Sequence, residues 1–368
     1  MFSMSSKVEL SEVMKSVVVH PTSPISTTIT TIAVPTSLEA NDVLIKIHAA
    51  ASNPKDWIHL VSRGFSLNSG DDLAGVVAAL GSDVTSLQIG VRVAAFHPMG
   101  QPYGAYAEYA TAPEHTIFKI PESMTFEEAS TIPLVSLTAA ITLFRRQGFA
   151  APWKPEAADK NDKPLLVYAA TSALGTFTIR LAKLAGIGPI IAIGGGSSAY
   201  LSTLLDMQDV LLDYRSGMDK VKQDVRQVVE DRKLSLTHAV DAFSENGSWV
   251  DVSQMMDGGI LSVFSGANKY DDAGSPGNVQ VLYTYVGTGH DGAYKPGMPK
   301  QPSAEDAQED VDFAVGFFKW LEMVLRQGKF SGHPFEVIPG GLDGVAEGLN
   351  RLRDGQARGR KLVYQIPA

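Results

Sequence analysis

One stretch in the middle of the chain restricts the possible folds more than any other: PLLVYAATSALGTFTIRLAKLAG, residues 164–186. An apolar strand, PLLVYAA (164–170), runs straight into a turn of small residues. An amphipathic helix, ALGTFTIRLAKLAG (173–186), follows, with Gly186 as its stop. A second apolar strand, PIIAIGG (189–195), comes directly after. This is a βαβ unit, and it implies a parallel sheet with helices packed on it. Small residues at such a turn let the backbone approach a pyrophosphate. The helix start offers unpaired N–H groups at the positive end of its dipole. Gly194, where the second strand ends, lies about 20 residues beyond Gly175, as a dinucleotide site requires. The glycine fingerprint itself is degenerate. The turn reads Ala169-Ala170-Thr171-Ser172-Ala173-Leu174-Gly175, so a plain strand–turn–helix without nucleotide is the competing reading.

The flanking pattern extends this unit. FEEASTIPLVSLTAAITLFRRQG (126–148) reads as one helix closed by Gly148. DVLLDY (209–214), HAVDAF (238–243) and GGILSVFS (258–265) read as further short strands. Before residue 130 the chain is rich in strands and turns: DVLIKIHAAAS (42–52), LAGVVAALGSDV (73–84), IGVRVAAF (89–96) and GAYAEYATAP (104–113). Their Gly and Pro punctuation suggests a small barrel or sandwich. The stretch 268–308, rich in Gly, Pro, Asp and Ser, reads as a loop between domains. A helix over 311–330 follows, then strand, helix and a final strand. The expected fold is α/β in two domains: a β-barrel domain from 1–132 and 286–368, and a doubly wound parallel-sheet domain from 133–285.

Other classes are disfavoured by composition. No apolar run of about 18 residues is present, so no membrane span is expected. The N-terminus is polar, without the pattern of a secretory signal. The formal net charge is −9 and Lys and Arg form no cluster, which argues against nucleic acid as a partner. There is no cysteine, hence no disulfide and no thiolate metal site. A cytoplasmic location is the default expectation. The eight histidines show no metal-binding spacing, and no G-x-S-x-G elbow marks a hydrolase.

The end of the second strand bears on cofactor choice. NAD sites often place Asp or Glu there for the ribose 2′-hydroxyl. Here the segment is Gly194-Gly195-Gly196-Ser197-Ser198, without an acid. Its amides and hydroxyls suit a 2′-phosphate, and Tyr214 and Arg215 after the third strand offer an adenine contact and a charge. A Gly/Ser surface turn is the alternative.

Several segments, in this order, carry a resemblance to a known family: Asn53-Pro54-Lys55-Asp56, GDDLAGVVAALGSDVTSLQIGVRV (70–93), GAYAEY (104–109), IPLVSLTAA (132–140), the turn above, Asp213-Tyr214-Arg215 and GRKLVY (359–364). The chain resembles the medium-chain dehydrogenase/reductase superfamily. Within it, it is similar to zinc-independent quinone oxidoreductases and to fungal trans-acting enoyl reductases of the lovastatin enoyl reductase type. The resemblance implies a GroES-like β-barrel domain, a Rossmann domain, and an active site in the cleft between them. Zinc-dependent members place Cys and Gly-His-Glu where this chain has Asn53-Pro54-Lys55-Asp56 and Gly70-Asp71-Asp72. NADPH without zinc is therefore the implied cofactor. The implied reaction is hydride transfer to a polarised C=C of an enoyl or enone substrate. A quinone is the alternative substrate, and a catalytically inert nucleotide-binding partner is the rival of another class.

Carried over by position, cofactor contacts fall on Lys55, Asp56, Thr138, Thr171, Ser172, Ala173, Leu174, Gly175, Ser197, Ser198, Tyr214, Phe264, Ser265, Gly359 and Lys361. Each has a structural rival: Asp56 as a local cap, Lys55 as a solvated side chain, Thr138 as a backbone-bonded hydroxyl, Tyr214 as packing. Candidate proton donors are Tyr283, Tyr285 and His290, with Tyr103 a further one and water a competitor. The lovastatin-type lysine three positions beyond Lys55 is Ile58 here. A synthase partner is compatible with the resemblance, as are both monomer and homodimer.

Overall fold

The computed structural model describes residues 10–154, 161–196, 198–270, 274–293 and 303–367. The chain divides into two compact units, residues 1–134 with 318–368, and residues 135–317. No described helix is long and apolar enough to cross a membrane.

The first unit opens with an antiparallel pair, β1 (Val13–His20) and β2 (Ser26–Ala33), in unbroken register. Five more strands follow: β3 (Asp42–Ala51), β4 (Asp72–Leu80), β5 (Arg92–Phe96), β6 (Tyr109–Pro113) and β7 (Ile117–Lys119). Helix α1 (Lys55–Arg63) leaves β3 through Asn53-Pro54. It stops at Gly64, whose left-handed conformation (φ 68°) returns its N–H to the Leu60 carbonyl. A short helix, α2 (Phe126–Ser130), is capped by the Thr125 hydroxyl. The last strands of the chain, β14 (Phe335–Val337) and β15 (Lys361–Gln365), join β3 to β7 in a seven-stranded sheet, in the order β14-β15-β3-β4-β5-β7 with β6 also on β3, while β1 and β2 form a two-stranded sheet of their own. The inward residues of these strands, Ile45, Ile47, Leu73, Val93 and Tyr364 among them, form one core together with Tyr106 from the segment before β6. Both chain ends therefore build the barrel sheet.

The second unit holds a six-stranded sheet made of β8 (Leu165–Tyr168), β9 (Ile190–Gly194), β10 (Val210–Asp213), β11 (His238–Asp241), β12 (Gly259–Val263) and β13 (Val279–Tyr283). All pairings are parallel, and the order is β10-β9-β8-β11-β12-β13. In sequence rank this is 3-2-1-4-5-6, the doubly wound dinucleotide-binding order, with its switch point beside the first strand. Its helices are α3 (Pro133–Ile141), α4 (Ala173–Leu184), α5 (Ser198–Ser202), α6 (Met218–Arg232) and α7 (Ser248–Ser253). Helix α8 (Ala304–Arg326) begins in this unit and ends in the first, where α9 (Val345–Arg353) also lies.

Two expectations are corrected, and a third differs in its boundary. The helix read over 126–148 is broken: α2 ends at Ser130, Pro133 starts α3, and Thr142–Arg146 continues it as a π-helical turn. Proline lacks an N–H and starts helices rather than continuing them. The 268–308 stretch contains β13, because the apolar run VQVLY outweighs its Gly- and Pro-rich flanks. It also contains the start of α8 at Ala304. The division into units falls at Phe317/Phe318, inside α8, whereas the sequence reading placed the return near 286.

Candidate active site

In the second unit the strand–turn–helix at 165–184 forms as read. Ser172 caps α4, its Oγ accepting the Gly175 N–H at 3.0 Å. Ala169 takes a positive φ of 54° to make the turn. A Cβ on Gly175 would lie 2.6 Å from the Ala169 carbonyl oxygen, so only glycine lets α4 seat this close to β8. The amides of Thr171, Ala173 and Leu174 have no acceptor among the described residues. With the helix dipole behind them they form a ready anion site.

At the end of β9, Gly195 lies under the Tyr214 ring, where a Cβ would come within 2.4 Å of the ring. Arg215 Nη1 is 3.5 Å from where a Cβ on Gly196 would be. Arg215 is pinned by Asp213, its Nε donating at 2.9 and 3.0 Å to the two carboxylate oxygens. That bond pulls the exposed Asp213 carboxyl down to about 2. Ser198 opens α5, and Ser197 lies outside the described residues. The backbone after β12 is already engaged. Phe264 N–H donates to Ser244 Oγ (3.0 Å), and Ser265 N–H donates to the Tyr270 hydroxyl (3.0 Å). Burial pushes Tyr270 up to about 12.

Tyr283, Tyr285 and His290 also sit in this unit, whereas Tyr103 lies exposed in the first. The Tyr283 hydroxyl is 3.1 Å from a Cβ built on Gly266. Tyr285 is half-buried and His290 buried. Thr138 is nearly buried in α3 and its carbonyl accepts the Thr142 hydroxyl at 2.7 Å. The neighbouring Leu137 packs against Gly289, so α3 and the Tyr285–His290 turn are in direct contact.

The first-unit candidates Lys55, Asp56 and Lys361 lie in one buried charged network. Lys55 Nζ pairs with Asp56 Oδ1 (2.9 Å) and with Asp71, and it donates to the Ser69 carbonyl (2.7 Å). Its three hydrogens are thus committed within the protein. Asp56 Oδ2 also accepts from the Tyr106 hydroxyl (2.6 Å) and the Asn53 N–H (2.9 Å). Lys361 Nζ donates to Asp72 Oδ2 (2.6 Å) and to Asn53 Oδ1 (2.8 Å). Asn53 Nδ2 and the Leu134 N–H complete the shell of Asp72. Three fully buried carboxyl groups face two ammonium groups. Desolvation lifts Asp71 to about 7 against the pull of Lys55, and the neighbouring carboxylates hold Lys55 above its ordinary value. The Gly359 carbonyl accepts from His333 Nε2 at 2.9 Å. Asp71, Asp72 and Tyr106 were not among the sequence candidates. The signal for the two acids was their place at the positions where related enzymes keep metal ligands.

Residues 39–122 match the alcohol dehydrogenase GroES-like domain family. A trans-enoyl reductase of Gibberella fujikuroi, fsr4, is 34% identical over 304 residues, 81% of this chain and 83% of the relative. The chain belongs to the trans-enoyl reductases. It is an oxidoreductase of the medium-chain dehydrogenase/reductase superfamily. The trans-enoyl reductase resD of Aspergillus sclerotiorum is 31% identical over 344 residues, 88% of this chain and 92% of that one. The solved structure of an alcohol dehydrogenase superfamily protein from Novosphingobium aromaticivorans shares the fold, with TM-score 0.74, 18% identity and coverage of 96% of this chain and 100% of that one. In this trans-enoyl reductase the GroES-like match falls wholly within the first unit, where the charged network is built.

Proposed function

We propose that the chain reduces the C=C of an enoyl substrate with NADPH and without zinc. The observation that carries the reading is the start of α4. Three amides without acceptors among the described residues surround a turn that Gly175 seats against β8. Thr171, Ser172, Ala173, Leu174 and Gly175 would hold the pyrophosphate there. Tyr214 and Arg215, stacked on and beside the glycines that end β9, would hold the adenosine and its 2′-phosphate. Bound there, the nicotinamide supplies the hydride.

The chain's own residues supply the rest. Thr138, Phe264 and Ser265 fix the orientation at the nicotinamide end. Tyr283, Tyr285 and His290 are the acids this unit offers to the carbon next to the carbonyl, with water competing. Zinc independence is supported by the two ammonium groups already paired with Asp71 and Asp72, cations that would oppose a metal ion there. The relatives are named trans-enoyl reductases, which supports an enoyl chain presented by a separate synthase as the substrate.

The test is a parallel titration with NADPH and NADH, followed by turnover of an enoyl thioester in buffer with a chelator. Tighter NADPH binding, lost selectively in R215A, with turnover undiminished by the chelator, supports the reading. Equal affinity for both cofactors, or activity that needs added zinc, would overturn it.

A further inference from the structure

Within the second unit, three elements converge on one carboxylate that the proposed chemistry does not use. Asp310 of α8 is fully buried. Arg145 Nε (3.2 Å) and Arg146 Nη1 (3.0 Å) donate to its Oδ1, and Arg146 Nη2 reaches Oδ2. Both arginines come from the π-helical turn Thr142–Arg146 that continues α3. Such turns are rare and often found at functional sites. The third partner is Thr288, buried in the 3-10 turn Val286–Gly289. Its hydroxyl lies 2.6 Å from Asp310 Oδ2 and 2.8 Å from the Tyr285 carbonyl. One hydroxyl proton serves both, and the charged oxygen is the closer and stronger acceptor.

We propose that the Thr288–Asp310 hydrogen bond is a latch that positions the Tyr285–His290 turn for reduction, making Thr288 and Asp310 positioning residues. The proposal rests on the enoyl reductase reading. Two arginines fix the plane of the carboxylate, and the carboxylate in turn fixes the turn between Tyr285 and His290. The same turn is closed from its other side, because a Cβ on Gly289 would come within 2.7 Å of Leu137 Cδ2 in α3. Helix α3 also carries Thr138, whose carbonyl accepts the hydroxyl of Thr142 at the start of the π turn. A single network thus sets the spacing of Thr138 against the Tyr285–His290 turn. Spacing at this level matters because small displacements of reacting groups cost large factors in rate.

The test compares T288V, which keeps the shape and deletes the hydroxyl, with T288S, which keeps the hydroxyl. Turnover of crotonyl-CoA with NADPH and hydrogen exchange at residues 285–290 are measured together. T288V should lower kcat about tenfold or more, with KM for NADPH unchanged, and should speed exchange across the turn. T288S should restore both. Two results would overturn the latch: equal loss in T288S and T288V, which would make the effect one of packing, or a T288V enzyme with wild-type kcat. If the unaltered protein reduces no enoyl thioester, the enoyl reading fails by itself. Exchange then decides the latch, and an unchanged rate in T288V removes it.

Discussion

Lys55 spends its ammonium hydrogens on Asp56, Asp71 and the Ser69 carbonyl, two of those acceptors being fully buried carboxylates. Removing one partner of a buried pair leaves an uncompensated charge, which costs about 3 kcal/mol or more. K55M should therefore lower unfolding free energy by about that amount while NADPH affinity stays within about twofold, a change far below one tenfold step in Kd. Denaturant melts and cofactor titration check this. A stable K55M protein with much weaker NADPH binding would return Lys55 to the cofactor role its position suggested. Asp71 adds a pH signature. Burial raises it to about 7 from 3.8, while Lys55 opposes the rise and Asp56 and Asp72 add to it. The folded state then holds a proton that the unfolded chain releases above about pH 4. Its contribution to stability is full below the unfolded value and is lost as pH rises through the folded one. Between about pH 4 and 7 the loss is at most about 1.4 kcal/mol per pH unit. D71N should abolish that slope, read as wild-type minus variant melting across pH 4.5–8. Parallel curves would show that Asp71 is ionised throughout.

Helix α4 shows how one element couples sequence to site. Its small-residue turn and its glycine were visible in the sequence, the serine cap came only with the structure, and the packing explains why this glycine stands there. A Cβ at residue 175 meets the Ala169 carbonyl oxygen and the Ala170 Cα, both at 2.6 Å. Both are backbone atoms and cannot rotate away. G175A should push α4 off β8, costing about 1–3 kcal/mol by overpacking. It should also weaken NADPH binding at least tenfold, because the free amides move with the helix. Full binding by G175A would mean that the cofactor is held elsewhere. Other elements were less legible. The break at Pro133 was in plain view, yet the apolar periodicity on both sides suggested a single helix. Strand β13 was hidden because four apolar residues around Gln280, between Gly- and Pro-rich flanks, carry a weak local signal. Its place is decided by parallel pairing with β12, the strand before it, and a local pattern does not record that pairing. The charged network was opaque for the same reason: Asn53, Asp72 and Lys361 meet only when β3, β4 and β15 pair.

At the scale of the whole molecule, the barrel sheet takes its strands from both ends of the chain and the parallel sheet takes its strands from the middle. The change from β-rich to alternating pattern made that division readable. The return point was not readable, because α8 runs through it without a break in its apolar face. This arrangement places all the amides and glycines proposed for the nucleotide in the second unit. A ligand that binds only the folded state stabilises it by RT ln(1 + [L]/Kd), about 2.7 kcal/mol at one hundred times Kd. For a unit of roughly this size each kcal/mol shifts Tm by about 2–4 °C. Saturating NADPH should thus raise Tm by about 5–10 °C. NADH at the same concentration should do markedly less, and R215A should narrow the gap between them. Because the shift is thermodynamic, it needs no substrate and no turnover. A chain that turned over enoyl thioesters without any shift would bind its cofactor too weakly for the α4 amides to be its anchor. Equal shifts with both cofactors would instead remove the 2′-phosphate contact of Arg215 and leave the pyrophosphate turn and the adenosine contact of Tyr214, which both cofactors share, as the basis of the site.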